Sequence, residues 1–524
     1  MNNFNKLKVW CNADFCYNLG VGITAAEHLD ASAGLSTGPT EEISLETVKR
    51  RAVKGVVALT GRTFILQVIA LLATFLLTIF LTPTQFGVFF LVSAVINFFA
   101  YFSDIGLAAA LIQKKDRLDK RELKSVFTVQ QILVLGVIIL IFSLTPLFQN
   151  WYKLSQPSVY LLWALTFSLF LSSLKTIPSV LLERELLFNK LIIPQIAETI
   201  VFYSIAVILA WQGFGITSFT VAVVARGIVG VVIIYILRPW QPGFLWNRQY
   251  LGGLLKFGLP YQANTMLAMV KDDGMTLVLG GIIGPAGIGL LGWAQKWAQA
   301  PLRFFMDQVI KVTFPAFSRM QHEKRELANA VSRSLFFICL LVFPALVGLV
   351  FVSEPLTHLI PKYAQWQPAL LALAFISVNS AFAAVSTPLT NMLNSIGKIA
   401  VTFRLMVMWT VLTWIFVPLL ASRYSINGAA LGFMLVGISS IVAIVWSKRF
   451  VNVVLLESVG YPLTASIGMA LVMFITGNLI TLNWLGVIIL VIVGLLSYIA
   501  MLHILLGGQI WRDFTTIYAT FKKK

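Results

Sequence analysis

Thr63 to Thr82 reads TFILQVIALLATFLLTIFLT, Pro83 to Gln85 reads PTQ, Phe86 to Leu107 reads FGVFFLVSAVINFFAYFSDIGL, and Lys114 to Lys124 reads KKDRLDKRELK. Each of the two apolar runs has the roughly 20 residues that a helix needs to cross a hydrocarbon core of about 30 Å. An uncharged turn joins them and a strongly basic loop follows. The pattern then recurs: Arg184 and Lys190 follow the fourth apolar run, Arg238 and Arg248 the sixth, and Arg319, Lys324 and Arg325 the eighth. Lys398 follows the tenth, Lys448 and Arg449 the twelfth, and Lys522 to Lys524 the last. The alternate connections, at Thr82–Gln85, Gln212–Gly215, Gly284–Gly287 and Thr481–Asn483, carry few positive charges. Basic loops are retained on the cytoplasmic side of a membrane, so the chain is expected to be polytopic with both termini in the cytoplasm.

Composition points the same way. With 58% hydrophobic and 11% charged residues and a mean hydropathy of +0.86, the polar side chains are too few to cover a water-soluble globule. The net charge of +18 is concentrated in the alternating loops, so topology accounts for it and no nucleic-acid partner is called for. Those loops would attract anionic lipid head groups, by about 1 kcal/mol per residue near the surface. The three cysteines are too few and too scattered for a disulfide framework or a zinc site, and Cys339, in an apolar run, reads as a small buried hydrophobe.

The fold class expected is an all-α integral membrane protein of about 14 transmembrane helices. Expected spans include 63–82, 86–107, 158–178, 191–211, 216–237, 257–283, 286–310, 399–420 and 426–447. Thr47 to Arg62 reads as a separate amphipathic helix in the interface, and residues 1–45 as a disordered cytoplasmic tail without the apolar core of a signal peptide.

A repeat of roughly 200 to 215 residues runs through the chain. Pro83 and Gly87 correspond to Pro285 and Gly289, Arg121-Glu122-Leu123 to Arg325-Glu326-Leu327, Gln156-Pro157 to Gln367-Pro368, and Gly215 to Gly428. Six spans is an even number, so the two units run the same way, as a parallel repeat about an axis along the membrane normal. The expected division is a tail (1–45), an N-terminal six-helix lobe with its interfacial helix (46–247), a C-terminal six-helix lobe (248–450) and two appended helices with a basic tail (451–524). The lobes would enclose a central cavity.

Ionisable residues inside a span cost about 2.5–3.5 kcal/mol each, so those present mark a cavity, an ion path or each other. Lys271, Asp272 and Asp273 fall near mid-depth of the seventh span, in the helix whose Pro260, Gly280, Gly281 and Gly284 make it the one expected to bend. Arg226 lies midway along the sixth span and Glu198 about two turns into the fifth, so they either pair or leave Arg226 facing an anion. Lys296, Arg303 and Asp307 share one face of the eighth span, while Lys311 and Arg404 have an easier route to the surface by snorkelling. Asp104 and Lys175 read as interfacial. Trp240, Trp246, Trp366 and Trp484 read as interface anchors, and Trp293 and Trp297 as packing residues with a sugar-stacking alternative.

Catalytic and nucleotide motifs do not emerge. The sequence has no Gly-rich loop ending in Gly-Lys-Ser/Thr and no His-Glu-x-x-His, and Gly34 to Gly38 spells a nucleophile elbow without its strand and helix. The longest outer connection, about Ser353 to Gln367, is too short for an external reaction chamber. A carrier without a cofactor is expected, in preference to a pump or an enzyme.

Asp104-Ile-Gly-Leu-Ala-Ala-Ala-Leu-Ile-Gln-Lys-Lys-Asp116, Leu182-Glu-Arg-Glu-Leu-Leu-Phe188 and Phe314-Pro-Ala-Phe-Ser-Arg-Met-Gln321 follow the second, fourth and eighth spans. These segments resemble those at the same places in bacterial oligosaccharide flippases and polysaccharide exporters of the multidrug/oligosaccharidyl-lipid/polysaccharide superfamily. The resemblance covers roughly residues 46 to 450. It implies two six-helix lobes, a place in the bacterial cytoplasmic membrane, and alternating-access transfer of an undecaprenyl-diphosphate-linked glycan, with other polysaccharide-assembly membrane proteins as companions. Chemistry adds the expectation that Arg226, Lys271, Lys296, Arg303 and Arg404 form a cationic cavity for the diphosphate, with Asp272, Asp273 and Glu198 as candidate proton or sodium sites. A multidrug or small-solute antiporter of the same superfamily, and a membrane glycosyltransferase or polymerase, are the competing expectations.

Overall fold

The computed structural model describes residues 45–104, 106–114, 118–247, 266 and 269–506, with side chains described from residue 63 onward except at 307, 308, 311 and 312. All regular structure among them is helical. In chain order the helices are α1 (Leu45–Phe80), α2 (Pro83–Ala100), α3 (Leu107–Gln113), α4 (Lys120–Tyr152), α5 (Gln156–Leu174), α6 (Thr176–Arg184), α7 (Phe188–Trp211) and α8 (Thr217–Leu237). There follow α9 (Met275–Arg319), α10 (Lys324–Leu359), α11 (Leu370–Ser395), α12 (Ile399–Ile438), α13 (Ile441–Lys448), α14 (Tyr461–Leu479) and α15 (Trp484–Leu506).

Among the described residues, twelve helical stretches are long and apolar enough to cross a membrane, and two of them are bent. In α9 the bend is at Gly284 (φ 69°), where glycine tolerates a conformation other residues avoid and Pro285 removes a backbone donor. In α12 it is at Tyr424 and Ser425 (φ 52°). Both bends fall where the sequence places a connection between two spans.

Other boundaries differ from expectation. Thr47–Arg62 is not a separate helix: α1 runs unbroken from Leu45 into the first span, since no proline or turn interrupts it. The second span ends at Ala100, and Asp104 begins a new element instead. Its Oδ1 accepts from the backbone N–H groups of Leu107 (3.0 Å) and Ala108 (3.4 Å), capping α3, while Gly106 takes the left-handed backbone the turn requires. Residues 1–44 and 507–524, and most of 248–268 with Gly258 and Pro260, lie outside the described residues.

α2 starts with a reciprocal cap: Thr82 Oγ1 accepts from Gln85 N–H, Gln85 Oε1 accepts from Thr82 N–H (2.9 Å), and Pro83 occupies the first turn. The repeated Pro-x-x-x-Gly at 83–87 and 285–289 turns out to be one contact. A Cβ on Gly87 would collide with the Pro285 carbonyl oxygen, and a Cβ on Gly289 with that of Pro83. Backbone thus meets backbone where α2 crosses the second arm of α9, at the end of the bundle that carries the short turns.

Around that crossing the largest apolar cluster gathers Leu77, Leu81, Phe86, Leu91, Phe219, Trp293, Trp366 and Ile376, from both halves of the chain. Trp366 is not an interface anchor. It is fully buried, stacks on Trp293 (centroids 5.6 Å) and donates Nε1–H to the Thr78 carbonyl (2.8 Å). Gln365 Nε2 donates to the Leu81 carbonyl (3.1 Å). The carbonyls of Thr78 and Leu81, at the C-terminal end of α1, lack helical partners, and the second half of the chain supplies them.

The opposite, basic end is tied by charge. Arg184, at the end of α6, donates to the carbonyls of Leu111 in α3 and Lys114 just beyond it, and Lys114 pairs with the buried Glu122 (2.9 Å). After α8 the chain returns along α4, with Trp240 against Phe127 and Leu245 N–H donating to Thr128 Oγ1 (2.8 Å). After α13 it does the same along α10, where Val454 N–H donates to Ser332 Oγ (3.2 Å). Thr128 and Ser332 share the offset of the repeated Arg-Glu-Leu triplets. α14 and α15 pack on α10, with Tyr498 Oη–H donating to the Leu340 carbonyl (2.9 Å).

Adding an isopropyl group at the crossing should strain it, since the Cβ alone already collides. Gly87→Val and Gly289→Val are each expected to destabilise the detergent-solubilised protein by about 1–3 kcal/mol. Gly136→Val, in open space on α4, should stay close to wild type in the same thermal-unfolding measurement.

Candidate functional site

The charged groups inside the spans divide into two sets. The first lies within the N-terminal half. Glu198 of α7 is nearly covered and pairs with Lys175, just past α5, at 2.6 Å, and with Arg226 of α8 at 3.6 Å. Gly230, one turn beyond Arg226, makes room for this carboxylate: a Cβ there would collide with Glu198 Oε1. Arg226 is 51% exposed and lies over the Phe202 ring at 5.8 Å, with the Tyr203 hydroxyl and Thr74 of α1 nearby. The expected Glu198–Arg226 pair is therefore present, but Glu198's closer partner is Lys175, which the sequence reading set aside as interfacial. Lys175 and Glu198 sit within two turns of the same end of consecutive antiparallel spans, and that matched depth was the available signal. One carboxylate against two cations leaves an excess of one positive charge, and the partner of lower burial, Arg226, presents it outward.

The second set follows the seam between the halves. Lys271, Asp272, Asp273 and Gly274 lie in a turn of wider helix, Val270–Gly274, that leads into α9. Such wide turns are rare and often occur at functional positions. Lys271 Nζ pairs with its neighbour Asp272 (2.7 Å), so its charge is locally matched. Asp273 instead lies close to the Asn97 amide of α2, across the seam. Trp414 of α12 closes over Gly274, where a Cβ would come within 3.3 Å of the indole.

Further along α9, Lys296 and Arg303 lie two turns apart on one face. They repel each other and, among the described residues, have no carboxylate partner. Arg303 Nη2 donates to Gln299 Oε1 (3.1 Å), and its carbonyl accepts from Gln67 Nε2 of α1 (3.5 Å). Beside them Trp297 stands edge-on to Phe75 of α1 (6.3 Å) and Phe64 meets Phe304 (4.8 Å). Arg404, on α12, is exposed and joins neither set. The side chains of Asp307 and Lys311 are outside the described residues. Trp293 is 4% exposed and stacked on Trp366, so it packs and does not offer a ring face. Gln67 and Gln299, uncharged and one per helix, carried no sequence signal of their own.

These features define a class: a multi-pass helical membrane protein whose halves meet backbone to backbone at one end and line their seam, toward the other, with cations that have no carboxylate partner among the described residues. Residues 76–370 match the model of a family described as polysaccharide biosynthesis protein, and the chain belongs to that family. It is 24% identical over 370 residues to the succinoglycan biosynthesis transport protein ExoT of Rhizobium meliloti (strain 1021), covering 70% of this chain and 72% of that one. It is 25% identical over 365 residues to the lipopolysaccharide biosynthesis protein WzxC of Escherichia coli (strain K12), covering 68% and 72%. Among solved structures, the lipid II flippase MurJ in an inward closed conformation superposes with a TM-score of 0.70 at 16% identity, over 88% of this chain and all of that one. An inward-facing multidrug resistance MATE transporter of the MOP superfamily gives 0.58 at 17% identity, over 76% and 98%. The fold is thus that of the MurJ and MATE transporters, and the chain is a multi-pass protein of the bacterial cytoplasmic membrane.

Breaking the buried pair should be costly. Lys175→Met leaves Glu198 with only its longer partner and is expected to destabilise by about 3–5 kcal/mol, and adding Glu198→Gln should recover most of that loss. Thermal unfolding of the single and double variants checks both.

Proposed function

We propose that this protein moves a lipid-linked oligosaccharide precursor across the cytoplasmic membrane by alternating access, handling the undecaprenyl-diphosphate end as an anion. The observation that carries the reading is the pair Lys296 and Arg303, held inside a span at the seam without a carboxylate among the described residues. A cation is expensive at that depth, and a diphosphate crossing the membrane would repay the cost by forming charge-assisted hydrogen bonds. Arg226 adds a third cation from the N-terminal half. Membership in the polysaccharide biosynthesis family, and relatives named for succinoglycan transport and lipopolysaccharide biosynthesis, support the glycan part of the proposal.

The moving parts in this reading are a lobe of residues 46–247 and one of 248–450, with 451–524 appended and both termini cytoplasmic. The turn end then faces outward, and the Gly87–Gly289 crossing closes it. Asp273, close to Asn97 across the seam, is the carboxylate that would sense whether the halves are together, and it is our first candidate for a proton or sodium site. Asp272 and Glu198 are already paired with cations and rank below it. The reading assigns no catalytic step to the chain. A drug antiporter would have the same fold, but an exporter of organic cations is poorly served by a seam with unmatched positive charge.

The test is reconstitution into liposomes bearing a fluorescent undecaprenyl-diphosphate oligosaccharide, with a proton or sodium gradient imposed. Transfer between leaflets is expected in the wild type, with a loss of about tenfold or more when Arg226, Lys296 and Arg303 are all changed to Gln, a barrier change of about 1.4 kcal/mol per factor of ten. Asp273→Asn should remove the response to the gradient. Undiminished transfer by the folded triple variant would overturn the cationic route.

A further inference from the structure

Nine side-chain polar atoms among the described residues are shut off from water without a hydrogen-bond partner, and two of them, Gln67 Oε1 on α1 and Trp297 Nε1 on α9, lie on the stretch of seam that carries Lys296 and Arg303. Buried polar groups are almost always satisfied, and an exception needs a physical account. The Gln67 amide is fixed at its other end by the Arg303 carbonyl, and the Trp297 ring is held by the edge of Phe75, so neither side chain is loosely placed. Both residues are only partly buried as a whole, so open space lies close to atoms that are themselves covered. They come from opposite halves of the chain, and Lys296 and Arg303 lie on the same stretch of α9.

We infer that this part of the seam between α1 and α9 is a sugar-hydroxyl subsite. When the halves separate, Gln67 Oε1 accepts and Trp297 Nε1–H donates to hydroxyls of the first sugar, while Lys296 and Arg303 take the phosphate next to it. The inference rests on the transport reading above and deepens it by assigning recognition of the sugar to residues outside the cationic set. The chemistry is specific: a hydroxyl both donates and accepts, so one sugar satisfies a lone acceptor and a lone donor together, which a bare phosphate cannot do. Because the two groups belong to different halves, the sugar would also help to set how far the seam opens.

This arrangement has an opposite effect on the empty protein. An unsatisfied buried group destabilises the state that contains it, so replacing it with an apolar group of similar shape is neutral or stabilising. Trp297→Phe removes the N–H and keeps an aromatic ring against Phe75, and Gln67→Met removes the amide at similar length.

The experiment measures thermal stability of purified full-length protein and its affinity for two probes, undecaprenyl diphosphate and undecaprenyl diphosphate carrying a single glucose. Trp297→Phe is expected to melt at or above the wild-type temperature, and Gln67→Met, which also gives up the bond to the Arg303 carbonyl, close to it. Each should bind the glucose-bearing lipid about tenfold more weakly and the bare lipid within about twofold of wild type, as the loss of one hydrogen bond to a desolvated group implies. Equal losses for both lipids, or no loss for either, would overturn the subsite. A wild-type protein that binds neither lipid would overturn the transport reading itself, and this inference with it.

Discussion

Inside a bilayer the backbone has no water to bond to, so each place where a helix ends or bends must find its partners in protein. At the turn end this requirement joins the halves. The carbonyls of Thr78 and Leu81 are satisfied by Trp366 and Gln365, and the Pro83 and Pro285 carbonyls approach the glycines that follow in the opposite helix. Apolar surface alone does not hold helices together in lipid, because the chains of the lipid are equally apolar. Close backbone approach through small residues provides the attraction instead. The large aromatic cluster of Phe86, Trp293 and Trp366 surrounds this crossing and depends on it, since the rings stack only if the backbones can come so close.

The charges follow a different rule at each level of the bundle. At the basic end they are matched and structural: Arg184 ties α6 to α3, and Lys114 covers Glu122. In the N-terminal half Glu198 is held by Lys175 and leaves Arg226 exposed. Along the seam, Lys296 and Arg303 have no carboxylate partner among the described residues, and Gln67 and Trp297 each keep an atom without a hydrogen bond. Unsatisfied polar atoms occur elsewhere among the described residues, at Gln130, Ser377 and Trp409 for example, but on this strip two of them stand beside two cations, and that combination makes it the candidate for ligand contact.

Some of this was legible beforehand. Alternation of basic and uncharged connections reports the membrane because insertion acts on loop charge one span at a time, and helix bends at Gly284 and Ser425 coincide with expected connections because positive φ and proline are local properties. The Pro-x-x-x-Gly repeat was also visible, although nothing in it said that its two copies touch. Thr47–Arg62 was misjudged because amphipathic composition does not itself break a helix that has no proline. Trp366 was misjudged because an indole near a span end looks the same whether it meets lipid or a carbonyl from another helix.

Sequence alone therefore determined the class of the protein, its apolar segments and the place of each charged residue along them, since all three depend on distance along one chain. Tertiary structure decided which charges are spent on each other and which remain. Lys175 and Arg226 became partners of Glu198, Lys271 turned to Asp272, and Lys296 was left with Arg303. Those outcomes depend on which faces of separate helices meet, and helix rotation and crossing are set by packing between segments far apart in the sequence.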